Sequence, residues 1–199
     1  MTAPTTLRDL MGLGHQPCTL QDAALVMIDC QNTYREGIMQ LTGVEPALKE
    51  ARRVLDRARA LGRPVIHIQH DAGPGTPYDV RADIGRIADI VAPQNGETVI
   101  TKGYPNSFVQ TPLDDELKRL GVKNLVLVGF MTHMCVNSTA RGAFNLGYAP
   151  TVVASATATR DLPLPDGSLV RADALQPASI ATMRDLFAAI APTADAVLG

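Results

Sequence analysis

The 199-residue chain contains only three cysteines, Cys18, Cys30 and Cys135, with no CxxC pair among them. An odd, sparse set rules out a disulfide framework and a zinc ribbon, and it points to free thiols in a reducing compartment. Neither sign of charge is in excess: 18 Lys and Arg face 20 Asp and Glu, a formal net charge of -2. Binding to nucleic acid or an anionic membrane, which needs a basic surplus, is set aside on that balance. No apolar run approaches the roughly 20 residues that span a bilayer. The opening MTAPTTLRDLMGLGHQP lacks both a basic stretch and a continuous apolar core, so no secretory signal is expected. Internal repeats, low-complexity tracts and long linkers are also missing. What is left is ample apolar material, 46% of the chain, for one core. The expectation is one domain over residues 1–199, with residues 1–20 as an N-terminal arm, in a cytoplasmic α/β enzyme.

Five short apolar runs are present, Ala23–Ile28, Pro64–Gln69, Thr98–Thr101, Asn124–Gly129 and Ala149–Ala154, and a weaker sixth is Ala196–Leu198. Runs of this length with few interior charges read as strands buried on both faces of a parallel sheet. Helical spacing separates them. Leu48, Val54, Leu55, Ala58 and Leu61 recur at three and four within Pro46–Leu61, and Gly62 stops the pattern. Thr111 and Pro112 open a second helix that Gly121 closes. A third is expected from Cys135 to Gly147 and a fourth over Pro177–Ile190, with a short amphipathic piece at Ile84–Val91. The stretch 161–170 reads as a proline-interrupted surface loop. Strand and helix in alternation imply right-handed crossovers and a sheet covered on both sides.

In such sheets ligands bind beyond the carboxyl ends of the strands, so the polar residues just past each strand are the ones to examine. Asp29 follows the first strand, His70 and Asp71 the second, Lys102 the third, Cys135 the fourth and Ser155 the fifth. An acid, a base and a thiol thus arrive from separate loops at one sheet edge. Cys135, placed where the next helix starts and near a lysine, is expected to favour its thiolate and to be the most reactive of the three cysteines. Cys30 is expected to point away from Asp29, and Cys18 to lie in the arm; both read as structural. No GxGxxG follows the first strand, which removes a dinucleotide fold, and no resolving cysteine lies near Cys135, which removes a dithiol redox protein.

Three segments resemble the isochorismatase-like cysteine hydrolases, a family that includes nicotinamidases and related amidohydrolases. They are Leu25-Val-Met-Ile-Asp-Cys-Gln-Asn32, Thr101-Lys-Gly-Tyr-Pro-Asn-Ser-Phe108 and Gly129-Phe-Met-Thr-His-Met-Cys-Val-Asn-Ser-Thr-Ala-Arg141. Their order and separation also fit, over residues 20–195. The resemblance implies a three-layer α/β/α, Rossmann-like fold around a mainly parallel six-stranded sheet, and a catalytic Asp29–Lys102–Cys135 triad. It further implies a cis peptide at Phe130–Met131 and an oxyanion hole made by the backbone N–H groups of Met131 and Cys135. Members that cleave the enol ether of isochorismate typically lack this cysteine, so its presence here points to an amide carbonyl. Nicotinamidases carry a metal on an Asp-x-His pair and further histidines, whereas this chain reads His67-Ile-Gln-His70-Asp-Ala-Gly-Pro-Gly. On an extended strand His67 and His70 face opposite sides, so no metal and no cofactor is expected. Ser155 stands where many relatives have an aspartate, which bears on the hydrogen bonding of Arg141.

The expected chemistry is hydrolysis of a C–N bond in a small-molecule amide through a Cys135 thioester, releasing ammonia or an amine. Asp29 serves as base and Lys102 balances charge. Tyr34, Tyr104, Phe108, Met131 and Met134 are candidates for the substrate pocket wall. The alternative is a catalytically idle or thiol-reactive interaction protein on the same fold. Similar proteins commonly assemble as dimers or larger homo-oligomers, and the resemblance extends that expectation to this chain.

Overall fold

The computed structural model describes residues 4–199. Eight strands occur among them: β1 (Ala23–Ile28), β2 (Val65–His70), β3 (Thr98–Lys102), β4 (Asn124–Phe130), β5 (Ala149–Ala158), β6 (Leu162–Pro163), β7 (Leu169–Val170) and β8 (Ala189–Ala191). The helices are α1 (Leu7–Leu10), α2 (Val44–Ala60), α3 (Leu113–Arg119), α4 (Asn137–Asn145) and α5 (Ala172–Asp185). Six strands form one sheet in the order β3-β2-β1-β4-β5-β8, and every pairing in it is parallel. None of the helices among the described residues is long and apolar enough to cross a membrane.

Burial divides the core into two halves by strand parity. Ala23, Leu25 and Met27 of β1 face α2, whose Ala47, Leu48, Ala51, Val54, Leu55 and Ala58 form a continuous buried stripe. Ala24, Val26 and Ile28 face the opposite layer, where Leu113 and Leu117 of α3, Ala140 and Ala143 of α4 and Met183 of α5 pack. Helices on both faces explain why β1 is apolar at all six positions rather than alternating. The expected three-layer α/β/α arrangement is the one observed.

Several boundaries differ from the sequence expectation, each for a local reason. The sixth strand is β8, at Ala189–Ala191; Ala196–Leu198, expected to be strand, forms none, and Ala194–Ala196 is a 3₁₀ turn. β8 overlaps the end of the stretch assigned to the last helix, Pro177–Ile190, because three apolar residues carry no period of their own. That helix, α5, begins at Ala172, and Pro177 sits in its second turn rather than at its start. Pro177 lacks a backbone N–H to donate there, a loss the rest of α5 tolerates. Residues 161–170 are a small antiparallel hairpin, β6 with β7. Ile84–Val91 supplies two 3₁₀ turns, Asp83–Gly85 and Asp89–Val91, and no helix. α3 starts one residue later than expected, at Leu113 with Pro112 rather than Thr111 at its N-cap, although Thr111 Oγ1 still accepts the Leu113 N–H at 3.3 Å.

β1 and β4 are the central neighbours, and they approach so closely that one position admits only glycine. Gly129 has φ +115°, and a Cβ there would lie 1.9 Å from the Ile28 carbonyl oxygen. Backbone on both sides leaves nothing able to move aside. Gly129→Ala should therefore destabilise the protein by roughly 3 kcal/mol or more. Equilibrium unfolding in urea would show this as a lower midpoint with an unchanged slope.

Candidate active site

The strand order reverses between β1 and β4, and in open parallel sheets such a switch point, at the carboxyl edge, is where ligands bind. Asp29 directly follows β1, and Cys135 follows β4 after a short turn. Lys102 is the last residue of β3, two strands from β1, and its long side chain reaches inward past β2. Each of the three is at most 5% exposed. They converge: Lys102 Nζ lies 2.7 Å from Asp29 Oδ2 and 3.4 Å from Cys135 Sγ.

The backbone prepares this meeting. Asp29 adopts φ +48°, a left-handed conformation that aspartate tolerates better than most residues. It also breaks the strand alternation. Cys30, which parity alone would place with Ile28, packs instead on the α2 side with its sulfur 3.8 Å from the Ile28 carbonyl. Cys135, by contrast, belongs to the opposite core half. The Phe130–Met131 peptide is cis. Thr132–Val136 then wind as a π-helical turn that runs into α4. Cys135 is thus the fourth residue of helical backbone and not the first, a correction to the expected helix start.

An ammonium has three hydrogens and nothing to accept with. Lys102 places one on Asp29 and one on Cys135, and donates the third to His70 Nδ1 at 3.3 Å. His70 and Lys102 are paired across β2 and β3, so the register of the sheet sets this contact. Accepting from a cation requires a lone pair on Nδ1, and burial together with Lys102 holds the His70 pKa below its ordinary value. The neutral imidazole meets the Tyr78 ring edge-on at 5.1 Å. Tyr78 in turn packs on Tyr34 at 5.9 Å, and Tyr34 on Phe130 at 5.7 Å.

Electrostatics correct one expectation outright. Burial, and next the Asp29 carboxylate, push the Cys135 thiol up to about 12, against the opposing pull of Lys102. A resting thiolate is therefore not favoured; removal of water and a neighbouring negative charge outweigh the lysine. Burial also raises Asp29, with Lys102 acting against it. A protonated thiol beside a carboxylate of raised basicity is a donor next to a base.

The other candidates scatter. Tyr34 is buried in the aromatic cluster just described, and Met131 is buried as well. Tyr104 and Met134 are exposed. Phe108 stacks on Tyr148 at 5.9 Å and packs, partly buried, against the core half that also holds Cys135. His67 turns to the α2 side, 2.9 Å from Glu97, which also binds Arg59. It and His70 do face opposite ways. Among the described residues no three His, Cys, Asp or Glu side chains converge as a metal would require. Ser155 lies inside β5, not after it, and donates to Glu50 at 2.8 Å. Arg141 instead bonds Asn137 and lies over the Phe187 ring, so the two do not share a network. Two neighbours of the site carried no sequence signal for such a role: Tyr78, in a loop without periodicity, and Arg160, two residues past β5.

The chain matches the family model described as the Isochorismatase domain over residues 23–195. It is 32% identical to the secreted isochorismatase effector Isc1 of Verticillium dahliae, covering 96% of this chain and 98% of that protein. It is 30% identical to the ureidoacrylate amidohydrolase RutB of Stutzerimonas stutzeri, over 68% of this chain and 69% of that one. A crystal structure of an isochorismatase from Pseudomonas putida superposes with a TM-score of 0.93 at 39% identity, covering 97% of this chain and 99% of that one.

The raised thiol makes a prediction that separates acidity from proximity to a lysine. Iodoacetamide should modify Cys135 slowly at neutral pH, with a rate still climbing at pH 10. Asp29→Asn, whose amide oxygen still accepts from Lys102, removes the repelling charge and should lower the thiol pKa. Labelling at pH 8, followed by peptide mass mapping, should be faster in this variant than in the parent. A parent profile that levels off near pH 7 would contradict the assignment.

Proposed function

The chain belongs to the isochorismatase family of hydrolases, and on that footing we propose that it is a cysteine amidohydrolase acting on a small-molecule amide. The observation that carries this reading is the single Lys102 ammonium bonded to both Asp29 and Cys135 in a buried cluster. The amidohydrolase named among its relatives supports a C–N bond as the target.

Asp29 takes the Cys135 proton as the sulfur attacks the carbonyl carbon, so no free thiolate accumulates. This order suits a thiol of raised pKa, because the proton leaves only as the new bond forms. Lys102 offsets the negative charge that moves between carboxylate, sulfur and substrate. The N–H groups of Met131 and Cys135 receive the carbonyl oxygen as it becomes an oxyanion, the largest electrostatic contribution in most acyl transfers. Collapse of the tetrahedral adduct expels the amine, which takes the proton from Asp29, and a thioester remains. Asp29, again ionised, deprotonates a water that attacks the thioester; the acid departs and the thiol regains its proton. His70 keeps the lysine in place throughout. Tyr104 and Met134, exposed beside the two catalytic turns, are the side chains assigned to the substrate's outer wall.

The whole chain acts as one catalytic domain in this reading, and the enzyme works as a homo-oligomer. The cytoplasmic assignment rests on its three free thiols.

Ammonia release from a panel of simple amides tests the proposal. Cys135→Ala should abolish turnover without lowering the melting temperature, and Asp29→Asn should slow it by about 10²–10⁴-fold. Asp29→Asn would then label faster yet turn over more slowly, a divergence that a passive thiol would not produce. Exhaustive chelation should leave the rate unchanged. Full turnover by Cys135→Ala would overturn the mechanism.

A further inference from the structure

Gln31, two residues past Asp29, is wholly buried, and both polar atoms of its side chain are bonded to backbone. Most of what it holds is His70. Gln31 Oε1 accepts the His70 N–H at 2.8 Å, and Gln31 Nε2 donates to the His70 carbonyl at 3.0 Å. The second Nε2 hydrogen goes to the Gly85 carbonyl at 2.6 Å. The partners also decide which way round the amide lies, because the flipped form would set an oxygen against two carbonyls.

These bonds continue an interrupted ladder. β1 and β2 run in register to Ile28 and Ile68, and the Asp29 N–H, on the Ile68 carbonyl at 2.9 Å, makes their last backbone bond. Asp29 then takes its left-handed turn, and the chain runs on against residues 86–88, with Gln31 bridged to Ile87. There the Asn32 N–H donates to Arg86 and the Ala88 N–H to Cys30, at 2.9 and 2.8 Å. His70, two residues past Ile68, would be left with a donor and an acceptor unmatched on the β1 side. A carboxamide carries the same donor and acceptor as a peptide group, and the Gln31 side chain supplies both in place of the missing strand. On its other side His70 is fixed by pairing with Lys102 in β3, where the Asp71 N–H donates to the Lys102 carbonyl at 3.0 Å.

His70, so held, is the one acceptor of the Lys102 ammonium that keeps its state through the proposed reaction. Asp29 and Cys135 exchange a proton, and the sulfur also gains and loses an acyl group, whereas the neutral Nδ1 offers a constant lone pair at 3.3 Å. A lysine stem is flexible, so the direction of its ammonium follows its acceptors. We propose that Gln31 is a positioning residue for Lys102, acting through His70, whose imidazole it aims by clamping the backbone. The inference rests on the reading of Asp29, Lys102 and Cys135 as the catalytic cluster, but its first test needs no turnover.

Ring-nitrogen NMR shifts of the parent protein, assigned against His70→Ala, should show His70 wholly as the Nε2–H tautomer. Gln31→Met, similar in length but unable to make any of the three bonds, should mix the tautomers. It should also lower kcat by about 10- to 100-fold at unchanged KM, the loss that a displacement of up to about 1 Å produces. Adding Gln31→Met to His70→Ala should cost little beyond His70→Ala alone, because the route through His70 is already cut. If Gln31→Met does not fold, Gln31→Glu, which keeps the acceptor for the His70 N–H, takes its place in every reading. An Nδ1–H tautomer in the parent, or a tautomer indifferent to the substitution, would overturn the proposal. So would losses that multiply in the double variant, or a change confined to KM. Turnover by Cys135→Ala would defeat the nucleophile reading alone and leave the tautomers to decide the hold of Gln31 on His70.

Discussion

The Lys102 ammonium, buried and surrounded, is the constraint around which the carboxyl edge of this sheet is organised. A cation cannot be taken out of water unless its charge and each of its hydrogens are met, and removing one partner of a buried pair typically costs about 3–5 kcal/mol. Asp29, His70 and Cys135 meet those needs, one from each of three different segments. The requirement fixes the β2–β3 register that places His70, the left-handed turn that aims Asp29, and the close β1–β4 approach that brings the nucleophile turn alongside. A shift at any of these would strand a charge.

The same burial that makes the cluster exacting also sets its chemistry. Low water content and the Asp29 charge raise the thiol, so the nucleophile rests protonated beside its base. In the proposed reaction the proton moves a short distance within a preformed group, and little solvent has to reorganise. Most of the charged groups outside this cluster are paired with one another. Glu97 gathers Arg59 and His67 on the other side of the sheet, and its carboxyl stays near 2 despite burial because those partners and the Gln94 N–H hold it.

The apolar runs announced the sheet, because a strand buried on both faces must be apolar throughout, and five of the six strands were legible for that reason. The sixth was not. Ala189–Ala191 is too short and too bland to carry a period, and only its pairing with β5 makes it a strand. The helix α5 was displaced in the reading by Pro177, a residue that usually starts a helix and here lies within one.

Residue type and order were enough to name Asp29, Lys102 and Cys135, since an acid, a lysine and a thiol each sit just past a predicted strand and parallel strands bring their carboxyl ends together. Which of them touch, and in what protonation state, depended on quantities that a linear sequence does not contain. Expected proximity to a helix start and a lysine argued for a thiolate; burial and the nearness of a carboxylate decided against it. His70 was visible as a strand-end histidine, but its bond to Lys102 exists only through the β2–β3 register. Tyr78 and Arg160 come from segments with no pattern at all, and the tertiary fold alone sets Tyr78 against His70 and Arg160 near the nucleophile turn, because contacts between distant loops are fixed by how the layers pack.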